Sequence, residues 1–181
     1  MNVKRVEDAV RVILEEIGEN PDREGLVETP NRVARMYQEI CGSLTAPPPD
    51  LKVFTNDAGY DQMVIVKDIP FYSLCEHHLA TFFGTVSVGY LPKGKVVGLS
   101  KIGRTVEYFA RKPQLQEKLT QEIADYLFNG IQPEGLFVMA KARHMCVESR
   151  GVKKSNCPTV TCAIKGNIDK QEFLNLLEST K

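Results

Sequence analysis

Every histidine in this chain lies within three positions of a cysteine, and there are only three histidines. Two of them sit in Cys75-Glu76-His77-His78, and the third opens His144-Met145-Cys146. Thiolates and imidazoles are the ligands that zinc prefers. If both clusters serve one ion, the fold has to carry residue 75 to residue 146 across much of the sequence. A chain of 181 residues that is 43% hydrophobic can build the core such a fold needs, as one globular domain.

Charge narrows the partners. Lysine plus arginine and aspartate plus glutamate balance at 23 each, so no bulk field draws the chain to nucleic acid or to a membrane surface. No apolar run approaches the ~20 residues of a membrane helix. Met1-Asn2-Val3-Lys4-Arg5 leads directly into a charged helical pattern without a signal-peptide core, and a cytoplasmic location is expected. Five cysteines is an odd number for a disulfide framework, and cytosolic thiols stay reduced. Cysteines beside histidines then point to metal, while Cys41, Cys157 and Cys162 read as small apolar residues.

Val3, Val6, Val10, Ile13, Leu14 and Ile17 recur at helical spacing, with Gly18 and Asn20-Pro21 as the stop. Thr29-Pro30 supplies an N-cap and a first-turn proline for a second helix on Val33, Ala34, Tyr37 and Ile40, closed by Gly42. Arg32 and Arg35 are neighbours on that helix, which suits either a solvated face or a phosphate contact. Pro47-Pro48-Pro49 separates this N-terminal helical arm, residues 1–46, from a body over 47–181, the two forming one functional domain.

In the body, Met63 to Ile69 reads as a strand ended by Pro70. Phe82 to Tyr90 alternates as a second strand, and Val96 to Leu99 follows the Lys93-Gly94 turn, all as antiparallel neighbours. Ser100 caps a helix on Ile102, Val106 and Phe109. After Pro113 another helix runs to Phe128 and stops at Asn129-Gly130. Glu117 falls in its first turn, where a carboxylate favours the helix dipole. Leu136 to Val147 alternates so that His144 and Cys146 share one strand face, opposite Lys141 and Arg143. Thr159 to Lys165 is a last strand, and Asp169 with Glu172 caps a short final helix. The order predicts an α+β fold, an antiparallel sheet with helices packed on one face.

Cys75 and His78, three apart, can face one ion from a turn of helix or a tight loop, and Cys146 can supply a third ligand from a strand end. Three ligands with an open position describe a catalytic zinc, leaving His77 and His144 to handle protons. A structural site using Cys75, His78, His144 and Cys146 is the alternative. It fits less well, because structural zinc usually sits in small modules short of core.

Together the motifs resemble GTP cyclohydrolase I. They are Thr29 to Tyr37, Cys75 to His78, Gly98-Leu99-Ser100-Lys101 with Arg104, Gln114 to Thr120, and His144-Met145-Cys146 with Arg150-Gly151. The resemblance runs from about residue 6 to 166, with the motifs in matching order and spacing. It implies a tunnelling-fold (T-fold) subunit in a homodecamer of two stacked pentamers, with active sites between subunits. It implies conversion of GTP and water to 7,8-dihydroneopterin triphosphate and formate, the first step of folate or pterin synthesis, with one zinc per subunit. Cys75, His78 and Cys146 would hold that zinc. His144 would move protons at N7 and His77 at the ribose ring oxygen. Glu117, with the Gln116 backbone, would accept the N1 and 2-amino hydrogens of guanine. Lys101, Arg104 and Arg150 match triphosphate ligands, Ser100 a contact near the reacting ring, and Arg32 and Arg35 phosphate contacts from an adjacent subunit. The family often has lysine where Arg35 stands, so the charge is kept but the geometry is not.

Within the same fold the enzyme rivals are a nitrile reductase, which lacks the Cys-Glu-His-His pattern, and a tetrahydropterin synthase, which binds zinc through three histidines. A variant giving a partial-reaction or cyclic-phosphate product, or a non-catalytic nucleotide-binding protein with structural zinc, is the remaining alternative. Ala80-Thr81 departs from many members, and the short arm before Val6 predicts no long regulatory tail.

Overall fold

The computed structural model describes residues 1–179, so the last two positions of the expected 47–181 body lie outside the described residues. Helices α1 (Val3–Glu16) and α2 (Thr29–Ile40) pair as a hairpin. The Asn2 carboxamide caps α1 by accepting from the Arg5 N–H at 3.1 Å. Thr29 lies inside α2 instead of capping it. Glu28 holds the cap position without a side-chain bond, and the Pro30 ring presets the first turn. Beyond α2 the chain tightens into a short 3-10 turn, Gly42–Leu44. Val12, Ile13, Ile17, Val27 and Met36 of this arm remain exposed, so the apolar face expected on α1 is only partly covered within the chain.

The body is built on β1 (Val53–Thr55), β2 (Val64–Cys75), β3 (Thr81–Leu91) and β4 (Lys95–Val97). Helix α3 (Leu99–Ala110), β5 (Pro113–Gln114) and α4 (Gln116–Ile131) come next. The chain ends with β6 (Gly135–His144), α5 (Met145–Glu148), β7 (Thr159–Gly166) and α6 (Lys170–Glu178). The main sheet has the order β5-β2-β3-β6-β7, and only the β5–β2 contact is parallel. The α+β class expected from the sequence is the class observed.

Several local expectations are corrected. Strand β2 passes through Pro70 because β5 reaches only Leu74 and Cys75, so Pro70 lies where one side of β2 carries no strand among the described residues. A bulge between Val66 and Ile69 puts Asp68 at φ 56°, and the Asp68 N–H donates to the Ser87 hydroxyl at 3.2 Å. Strand β4 pairs with β1, which the sequence pattern missed, and not with β3. Gly98, not Ser100, is the N-cap of α3. Helix α4 continues through Asn129-Gly130 to Ile131, because Leu127 and Ile131 are both fully buried and packing outweighs the glycine.

Helices α3 and α4 cover one sheet face with Ile102, Val106, Leu119, Ile123 and Leu127 against Phe82, Val86, Val88, Val138 and Ala140. Helix α6 seals part of the opposite face, where Phe173 stacks on Phe137 with ring centroids 4.2 Å apart. Asp169 caps α6 as expected, accepting from the Gln171 and Glu172 N–H groups. At Gly84 a Cβ would stand 1.9 Å from the Lys141 carbonyl oxygen, so the close approach of β3 to β6 requires glycine there.

Strands β2 and β6 both run antiparallel to β3, which lies between them. Their C-terminal ends therefore emerge at the same edge, beside the start of β3. That topology alone brings Cys75 near His144.

Candidate functional site

The loop between β2 and β3 is closed by its own backbone. Cys75 N–H donates to Ala80 O at 2.8 Å, and the His78 and Leu79 N–H groups donate to Cys75 O at 3.3 and 2.8 Å. Glu76 N–H donates to Gln114 O at 3.0 Å, tying the loop to β5. Leu79 takes φ 51°, uncommon for a residue with a branched side chain, and this reversal ends the turn immediately after His78.

Across the strand end, Cys146 does not lie on β6 as expected. The β3 ladder reaches only to Phe82 opposite His144, and β7 only to Thr159 opposite Ala142. Without ladder partners the chain coils into α5, and Cys146 is carried on that helical turn. Arg143 holds the turn in place, its Nε donating to Glu148 Oε1 at 2.9 Å while its guanidinium lies over the Phe83 ring. The guanidinium keeps the Glu148 carboxyl below its ordinary range.

The ligand atoms of Cys75, His78 and Cys146 lie within 4.8 Å of one another, with Cys75 Sγ 3.8 Å from His78 Nδ1. Tetrahedral zinc with Zn–S of about 2.3 Å and Zn–N of about 2.0–2.1 Å asks for roughly 3.5–3.8 Å between donors. The donor set therefore fits a metal ion with little adjustment. Burial pushes the Cys146 thiol up, the neighbouring Cys75 pushes it further, and Arg150 opposes both. A cation among these sulfurs would relieve that cost by taking them as thiolates.

One cleft of about 280 Å3 contains these three residues with His77, Gln114, Gln116, Glu117, His144 and Thr159. The His77 ring stands 6.2 Å from His78 at an interplanar angle of 87°. His144 lies flat against Phe82, with centroids 4.7 Å apart, and its Nε2 is 2.8 Å from Gln116 Oε1. Burial pulls the His144 imidazole below its ordinary value, and the Glu117 and Glu148 carboxylates pull it back up. Glu117 sits exposed in the first turn of α4.

The other expected residues stand elsewhere in the single chain. Ser100 and Arg104 are exposed and Lys101 half-buried on α3, and none of them lines the cleft. Arg150 is exposed just beyond α5. Arg32 and Arg35 are exposed on α2, with Arg32 paired to Glu28. Phe82, Gln114, and the Arg143–Glu148 pair were not anticipated. The buried polar positions Gln116 and Thr120, four apart on the inner face of α4, were a readable sign that this face meets polar groups.

The sequence profile of the GTP cyclohydrolase I family matches residues 6–179. This chain belongs to that family. GTP cyclohydrolase 1 of Clostridioides difficile is 53% identical over 169 residues, covering 92% of this chain and 89% of that protein. The Pelotomaculum thermopropionicum protein of the same name is 54% identical over 165 residues, covering 90% and 87%. The Bacillus cytotoxicus protein, also GTP cyclohydrolase 1, is 46% identical over 187 residues, covering 99% and 98%. Among solved structures, the archaeosine synthase QueF-Like in its apo form aligns with 61% of this chain and 99% of that chain, at 19% identity and a TM-score of 0.48. Within the GTP cyclohydrolase I family, the Cys75–His78–Cys146 cluster is a possible metal site, and no helix among the described residues is long and apolar enough to cross a membrane.

Proposed function

We propose that this protein converts GTP and water to 7,8-dihydroneopterin triphosphate and formate, the first step of pterin and folate synthesis. The carrying observation is one cleft that holds a Cys-His-Cys donor cluster, two further histidines and an acidic residue at a helix start. Cys75, His78 and Cys146 would hold one zinc, which when bound would supply Lewis acidity toward water at C8 of guanine.

The remaining chemistry belongs to the side chains around it. Glu117 accepts the N1 and 2-amino hydrogens of guanine, a pair that adenine does not offer. The backbone of Gln116 assists at the same edge. His144 moves protons at N7 as the imidazole ring opens and the formyl group is hydrolysed to formate. His77 serves the ribose ring oxygen as the sugar opens, rearranges and closes onto the exposed amines. Ser100 binds near the reacting ring.

The triphosphate needs cations that the single-chain cleft lacks. Lys101, Arg104 and Arg150 bind it, and Arg32 and Arg35 reach phosphate from an adjacent subunit, charge-assisted bonds of the kind that suit phosphate oxygens. We therefore propose a homodecamer of two stacked pentamers, with neighbouring sheets joined into barrels and active sites between subunits. The exposed apolar side chains of the arm support that assembly. Arm (1–46) and body (47–181) act as one functional unit, in the cytoplasm, where five unpaired cysteines stay reduced.

Incubating the zinc-loaded protein with GTP tests the proposal: stoichiometric formate and the rise of dihydropterin absorbance are expected. GTP bound but returned intact would leave a nucleotide-binding protein and end the hydrolase reading.

A further inference from the structure

Gln116 is 2% exposed at the start of α4, and its carboxamide is surrounded by groups that allow one orientation. Its Nε2 donates toward Ala140 O at 3.2 Å, Thr159 O at 3.1 Å and Thr161 Oγ1 at 3.2 Å. Turning the amide over would set its oxygen against two carbonyl oxygens, with no hydrogen between them. The amide oxygen is thereby committed to His144, with Oε1 2.8 Å from Nε2. An amide oxygen can only accept, so His144 Nε2 carries the hydrogen. The Phe82 ring, parallel to the imidazole within 2°, blocks a change of ring plane.

We propose that the Gln116 side chain is a positioning residue that fixes His144 as the Nε2–H tautomer, leaving Nδ1 as the nitrogen that exchanges a proton with substrate. This rests on the reading of His144 as the proton carrier at N7. It separates two jobs in one residue, because the Gln116 backbone faces the nucleotide while its side chain faces the protein. It also explains a polar side chain in the interior of the α4 contact with β6 and β7. Thr120 completes that network, its hydroxyl donating to Gln116 O at 2.8 Å and lying 2.6 Å from the Thr161 hydroxyl. Second-partner bonds of this type set which imidazole nitrogen is available in other histidine sites.

The test is a ring-nitrogen NMR spectrum of the zinc-loaded full-length protein labelled with 15N-histidine, taken without nucleotide. Three histidines per chain keep the spectrum simple, and H144N and H77N variants assign it. The wild-type protein is expected to show a protonated Nε2 and a bare Nδ1 at His144. Gln116→Met keeps side-chain length but offers no acceptor of comparable strength, so it should give a mixture of tautomers with zinc content unchanged. In turnover it should lower kcat by about 10–100-fold, less than the 10²–10⁴ of a lost acid–base group, with KM for GTP little altered. A wild-type spectrum with the hydrogen on Nδ1, or a Gln116→Met spectrum identical to wild type, overturns the assignment. A tautomer change without a fall in kcat overturns its role in turnover. If the wild-type protein released no formate, the hydrolase reading would fail, while the spectrum would still decide the tautomer. If Gln116→Met did not fold, the wild-type spectrum alone would decide.

Discussion

At the scale of single residues, the cleft separates the proposed metal ligands from the proposed proton carriers by where each side chain lies. Cys146 approaches Cys75 and His78, whereas His144 is already spoken for by Gln116 and stacked on Phe82. Cys146→Ala should accordingly lose zinc and formate release together, and metal analysis of the purified variant checks it. Full zinc occupancy there would remove Cys146 from the ligand set. His144→Ala should keep zinc near one per chain and lose formate release by on the order of 10²–10⁴-fold. Stoichiometric loss of zinc in that variant would make His144 a ligand instead. Glu117→Gln is isosteric and should weaken GTP binding by about 1.5–3 kcal/mol, the range of a hydrogen bond to a charged group. Calorimetric titration measures it, and unchanged affinity would return Glu117 to a helix-dipole role. The types of these residues and their spacing were legible in the sequence because zinc chemistry draws on so few side chains. Gln116 was legible only as a backbone contact, since the orientation of its amide depends on β6 and β7 carbonyls that are remote in sequence.

Among the elements, the β6–α5 junction governs where Cys146, the proposed third ligand, stands. Alternation placed Cys146 on a strand face beside His144. The pattern could not show that β3 and β7 stop short of it, because a ladder's end is set by its partners. The same limit explains Pro70, read as a strand end although one side of β2 is open there, and Asn129-Gly130, read as a stop although Ile131 is buried. The long, strongly periodic elements α1, α2, β3 and α4 were legible, since their apolar spacing is a local property. Since α5 is a single helical turn, too short to hold itself, the Arg143–Glu148 pair supports it. Arg143→Met should therefore weaken zinc affinity by about 10–100-fold, the usual effect of losing an outer-shell partner, with little change in fold. Competition with a chromogenic chelator provides the measurement, and wild-type affinity would show that α5 holds Cys146 without the bracket.

For the whole molecule, the single chain assembles the Cys75–His78–Cys146 cluster and brings Glu117 to the same cleft but leaves Lys101, Arg104, Arg32 and Arg35 away from it. Sedimentation should find an assembly of about ten chains, in keeping with the proposed decamer. A monomer that turned over GTP at the full rate would require all the phosphate contacts to come from one chain. The proposed assembly rests on the resemblance, because solvent-facing apolar residues on α1 look alike whether a neighbour or water meets them.

Strand β3 lies between β2, which ends at Cys75, and β6, which leads into the turn that carries Cys146, and the pairings on both of its sides fix where the donor cluster forms. A slip of one residue along either ladder would turn every side chain of the slipped strand to the other face. Cys75 or the turn beyond β6 would then leave the donor cluster. Under the proposed function, zinc capture would therefore act as a proofreading step for strand alignment, and the zinc content of a preparation would count the chains whose sheet has closed correctly.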